Sequence, residues 1–133
     1  MDSPATPNTK AFPAPSDDRL ISSDRIEGTD VYDLQGERLG TVSSFMVDKF
    51  TGRVAYAVMS FGGFLGLSEH HHPLPWSVLI YDPAKAGYVV NLDHRRLEVA
   101  PRYSPAERPD WSDRAYGRGI DIFYGVPAYW GLY

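Results

Sequence analysis

The residues that most invite chemistry are Glu69-His70-His71-His72, because neutral imidazoles beside a carboxylate are common ligands for zinc and related ions. On an extended segment, side chains alternate, so His70 and His72 point one way and His71 the other. At most two of them share a metal without help from Glu69 or another chain. The run continues as Pro73-Leu74-Pro75-Trp76, which reads as loop and turn. Structural or surface histidine is the preferred reading, ahead of a pH-responsive contact and of a metal site; no metal and no cofactor is expected. A second sequence of interest, Gly62-Gly63-Phe64-Leu65-Gly66, lacks the Gly-Lys-Ser/Thr of a phosphate loop and the Gly-x-Gly-x-x-Gly of a dinucleotide fold. It reads as a glycine-supported bend, with Phe64 and Leu65 as an apolar contact patch if the tip is exposed.

Nucleophilic catalysis needs a serine or equivalent beside a base, and His94 is the only histidine outside the cluster. Neither a Gly-x-Ser-x-Gly elbow nor His-Glu-x-x-His occurs. Asp30, Asp33, Asp48 and Asp82 fall at strand ends and turns, where carboxylates accept from local backbone amides. No catalytic residue is assigned, and the chain is expected not to be an enzyme. With no cysteine, disulfides, thiolate metal sites and cysteine nucleophiles are excluded. A formal charge of −4 gives no positive field to draw the chain onto nucleic acid.

The elements that would carry these residues are mostly β. Residues 1–19, with Pro4, Pro7, Pro13 and Pro15, read as a disordered proline-rich arm. Val31 to Leu34, a turn at Gln35-Gly36, and Leu39 to Val47 read as a hairpin. After a turn at Asp48 to Gly52, Arg53 to Phe61 alternates with apolar residues on both faces, as in a strand buried on two sides. Trp76 to Tyr81 and Tyr88 to Leu92 read as further strands, and Asp93 caps a helical turn over His94 to Val99 that Pro101 ends. No stretch approaches the ~20 apolar residues of a membrane span, and no secretory signal is visible, so a soluble, cytoplasmic protein is expected.

Residues 102–133 hold eight of the eighteen aromatic side chains, too many for a free tail. They read as an aromatic-rich extension that packs on the preceding domain or on a partner, with Trp111, Tyr124 and Trp130 as candidate contact residues beside Phe64, Leu65, His70 and His72. Ser104-Pro105-Ala106-Glu107 matches a capping box, but no long periodic helix is read after it. Arg102, Arg108, Arg114 and Arg118 are cancelled by Glu107, Asp110, Asp113 and Asp121, which favours contacts within the protein over nucleic acid.

The succession Val31-Tyr32-Asp33, Gly36-Glu37-Arg38-Leu39-Gly40-Thr41-Val42, Thr51-Gly52-Arg53-Val54-Ala55-Tyr56-Ala57-Val58, Gly62 to Gly66, Pro75-Trp76 and Leu97 to Pro101 resembles a PRC-barrel domain over residues 20–101. The resemblance implies a mainly β fold, a small, strongly bent antiparallel β-barrel with short helical turns. The family includes the barrel of the photosynthetic reaction-centre H subunit and that of a ribosome-maturation factor. The chain departs from both, because it shows neither the transmembrane helix of the first nor the extra N-terminal β domain of the second. Fold therefore transfers more safely than function. The expected role is a non-enzymatic protein-interaction or assembly module, homodimeric or bound to another protein. The alternatives are a small-ligand or metal-responsive protein using His70 to Trp76, and an accessory role in photosynthetic electron transfer or ribosome maturation.

Overall fold

The structure, a computed structural model, describes residues 19–62 and 69–129. The expected N-terminal arm, but for its last residue, and the candidate contacts Phe64, Leu65 and Trp130 lie outside the described residues. Ser23–Ile26 forms a single helical turn, α1. Six strands follow: β1 (Asp30–Tyr32), β2 (Arg38–Val47), β3 (Val54–Gly62), β4 (Glu69–Pro75), β5 (Ile80–Asp82) and β6 (Gly87–Val89). Helices α2 (His94–Val99) and α3 (Arg114–Tyr124) complete the chain.

The strands form one sheet in the order β4-β3-β2-β1-β6-β5. The antiparallel barrel expected from sequence is corrected in two respects. The sheet is mixed, because the β5–β6 hairpin returns alongside β1 and places β6 parallel to it, Val31 opposite Tyr88. It is also not closed by hydrogen bonds, since β4 and β5 remain its two edges.

Both edges are blunted against further pairing. His71 exchanges backbone hydrogen bonds with Tyr103 (2.9 and 3.0 Å), so the next outward-turned positions on β4 are Pro73 and Pro75, which carry no N–H. On the other side, the Val90 N–H donates to the Tyr32 carbonyl (2.9 Å). Tyr88 and Val90 therefore face β1, Gly87 and Val89 face β5, and Tyr81 alone on β5 turns its backbone outward. Its neighbours offer no donor, because the Leu79 N–H is bonded to the Trp76 carbonyl and Pro83 has none.

Strand β3 is buried on both faces as its alternation implies, and each face has its own cover. Ala57 and Met59 enter the main core with Val31, Leu39, Val42, Leu74, Leu79, Tyr88, Val90, Leu92 and Leu97. Tyr56 and Val58 point to the opposite face, where α3 lies with Gly117, Ile120 and Asp121 buried along one stripe. Gly40 lets β2 approach β3: a Cβ there would sit 2.3 Å from the Ser60 carbonyl oxygen.

Three local readings differ from the structure. The histidine run is a strand, β4, paired with β3 from Tyr56–Pro75 to Gly62–Glu69, rather than loop and turn. Its prolines are tolerated because the positions they occupy face away from β3. Trp76–Val78 is a 3-10 turn, so the following strand begins only at Ile80. Ser104 to Glu107 forms a turn, and the long helix not read from sequence is α3, capped by the Asp113 carboxylate on the Ala115 N–H and stopped at Gly125 in the left-handed region (φ 67°). Asp93 caps α2 as expected, accepting from the Arg96 N–H at 2.9 Å.

Candidate functional site

The most apolar concavity among the concavities found lies between the β2–β3 turn and the start of α3. It is a groove of about 400 Å³ lined by Met46, Val47, Asp48, Lys49, Phe50, Ala55, Tyr56, Trp111, Ser112, Asp113, Gly117 and Tyr129. Tyr56 forms its floor, with Trp111 at 5.5 Å and Tyr129 at 6.5 Å between ring centroids. At the rim, Phe50 is 91% and Val47 53% exposed.

A hydrogen-bonded chain holds these rings. The buried Asp121 carboxylate accepts from the Tyr56 hydroxyl (2.9 Å) and from the Tyr129 N–H (3.1 Å). The Tyr129 hydroxyl in turn donates to Asp48 (2.9 Å), whose other oxygen accepts from the Phe50 N–H (3.0 Å) and the Thr51 N–H (3.4 Å). The Phe50 N–H and the Tyr129 hydroxyl hold the Asp48 carboxyl below the usual carboxylate range, so it is anionic at neutral pH. The Arg53 guanidinium lies 5.2 Å from the centroid of the Tyr129 ring. Three segments far apart in sequence thus fix one aromatic wall.

The histidines do not gather into a comparable site. His70 and His72 share one face of β4, and His71 lies on the other, as the alternation requires. His72 is 1% exposed, packs edge-on to Phe61 at 6.1 Å, and leaves Nδ1 without a hydrogen-bond partner among the described residues. Burial, reinforced by the charge of Arg102 and by His70 and His71, lowers its pKa to about 4. His71 faces Tyr103 and places Nε2 3.1 Å from Glu69, whose carboxylate also accepts from the Ser60 hydroxyl. These two bonds, Ser60 first, hold Glu69 below the usual range. Among the described residues, no three His, Asp or Glu side chains converge in a way that could hold a metal ion. A second, polar depression over Asp33, Gly36, Glu37, Asp93 and His94 is wide and open, and its Asp33 carboxylate is already bonded to the Gln35 and Glu37 N–H groups.

Of the contact residues read from sequence, Trp111 lines the groove, whereas Tyr124 packs against the main core with its hydroxyl buried. That hydroxyl titrates far above the ordinary tyrosine range because of burial. Asp48, Tyr56, Phe50 and Tyr129 were not singled out as contact residues by sequence. Asp48 carries only a turn signature and Tyr56 only a strand one, and nothing local links either to Tyr129.

The family model for the PRC-barrel domain matches residues 18–99, more than half of the chain. The chain belongs to the PRC-barrel family. The match spans every strand of the sheet and α2. It stops before the residues that cover the outer face of β3, so Trp111, Asp121 and Tyr129 lie beyond it. In this PRC-barrel protein the groove is therefore built jointly, its floor and turn from the family domain and its aromatic wall from the segment that follows. A comparison with curated proteins finds no match. No helix among the described residues is long and apolar enough to cross a membrane.

Proposed function

We propose that this PRC-barrel protein is a non-enzymatic docking module that seats a partner protein on the groove between the β2–β3 turn and α3. The observation that carries the reading is the groove itself, an aromatic floor and wall with Val47 and Phe50 exposed at the rim. The sheet edges support it from the other side. With Pro73 and Pro75 on β4 and a single outward-turned residue on β5, strand addition is disfavoured at both edges. A partner then has to be recognised by side chains. The titratable group at the rim fits binding better than proton transfer, since Asp48 already accepts three hydrogen bonds and sits below the carboxylate range.

The test is capture from the native host with the tagged full chain beside Trp111→Ala. A partner retained by the wild type and lost by the variant is expected. Equal retention by both would move the contact elsewhere. Light scattering on the purified chain then separates the two kinds of partner: a mass near 14.9 kDa leaves a different protein, and twice that mass makes the partner a second copy.

A further inference from the structure

Resting on that reading, we infer that the groove recognises a cationic side chain, a lysine or arginine, presented by the partner. Three aromatic rings, Tyr56, Trp111 and Tyr129, line one cavity, and their π faces attract cations most strongly where water is displaced. Two carboxylates, Asp48 and Asp113, line the same cavity, and the Asp121 carboxylate lies buried behind Tyr56. Against these the lining holds one cation, Lys49, exposed on the turn. The balance around the groove is negative even with Arg53 counted.

The protein already uses this chemistry on itself. Arg53 stands over the Tyr129 ring while the Tyr129 hydroxyl is anchored to Asp48, which pairs an aromatic face, an anion and a cation within one turn. The apolar walls, Met46, Val47 and Ala55, suit the methylene stem of lysine or arginine, whose charged head then reaches the carboxylates. An acidic side chain is disfavoured at this surface by like charge. A purely aliphatic one gains the walls and leaves the carboxylates without a counterion.

The experiment uses the full chain and three small probes: the N-acetyl, N′-methylamide derivatives of lysine, arginine and norleucine, the last being an uncharged analogue of lysine. Binding is followed by the indole N–H resonance of Trp111, assigned with Trp111→Phe. Saturable shifts are expected with the lysine and arginine amides, about fivefold tighter than with norleucine, the ratio that ~1 kcal/mol of cation–π and ionic attraction gives. Asp48→Asn, which keeps an oxygen for the turn amides, is expected to erase most of that preference and leave the norleucine response unchanged. Equal affinity for all three probes overturns the inference while leaving an apolar docking groove. No shift with any of them, alongside a partner still lost from Trp111→Ala, overturns it too and leaves the docking reading standing. Failure of docking itself is read separately, in the capture experiment.

Discussion

His72 enters the core of β4 with one ring nitrogen unsatisfied among the described residues, and its protonation state is tied to folding. Its pKa falls from 6.5 to about 4 on folding. Between those values the unfolded chain binds a proton that the folded chain does not, so stability is intact above pH 6.5 and declines as pH falls through the window. The full window corresponds to about 3 kcal/mol. Urea unfolding followed from about pH 7.5 to about pH 4.5 is expected to show that decline, and His72→Leu is expected to flatten it. A slope unchanged in the variant would assign it to other groups. Asp121 makes a second prediction at this scale. Asp121→Ala strands the Tyr56 hydroxyl and the Tyr129 N–H and is expected to cost ~2–3 kcal/mol, against ~1 kcal/mol for Tyr56→Phe, which removes one donor and leaves the carboxylate its other bonds. Equal losses by urea unfolding would mean that the Tyr56–Asp121 bond carries the whole effect. The sequence offered Trp111 as a contact residue because an indole in a polar segment stands out. It could not offer the groove, since turn chemistry at Asp48 and strand alternation at Tyr56 each have a complete local explanation.

At the level of elements, legibility followed how local the deciding interaction was. The β1–β2 hairpin, the turn after Val47, strand β3 and the Asp93 cap on α2 are set by neighbours in sequence, and all appear where those signals lie. Strand β4 was misread because Pro73 and Pro75 look like breakers, and only its place at a sheet edge makes them harmless. The helix α3 was missed because Gly117 and Gly119 dilute its pattern; its buried stripe of Gly117, Ile120 and Asp121 has meaning only against the outer face of β3. The parallel pairing of β6 with β1 leaves no local trace at all. The β2–β3 pair supports one prediction. Gly40→Ala would drive a methyl group into the Ser60 carbonyl, a backbone atom that cannot turn aside, so the two strands must part. A loss of about 1–3 kcal/mol is expected in urea unfolding, and a neutral outcome would mean that β2 shifts freely at this point.

For the molecule as a whole, the family domain and the folded unit are not the same length of chain. The PRC-barrel match ends at residue 99, yet Val58, Tyr56 and Pro73 on the outer face of β3 and β4 are buried, at 0% and 4% exposure for the first two. Residues 103–129 are what lies on that face, through the Tyr103–His71 bridge, Ile120 and Asp121 of α3, and Tyr129 bonded back to Asp48. A single sheet with one face packed and the other apolar and bare is not stable alone in water, because each buried aliphatic side chain uncovered costs roughly 1.5–3 kcal/mol. A chain ending at Pro101 is therefore expected to aggregate or to self-associate through the bared face, and to bind a hydrophobic dye that the full chain does not. Chromatography with light scattering and dye fluorescence on the two chains would decide it. A truncated chain that stays monomeric, dye-negative and cooperatively folded would mean that the family domain closes its own core, and that the segment after it serves only to build the groove.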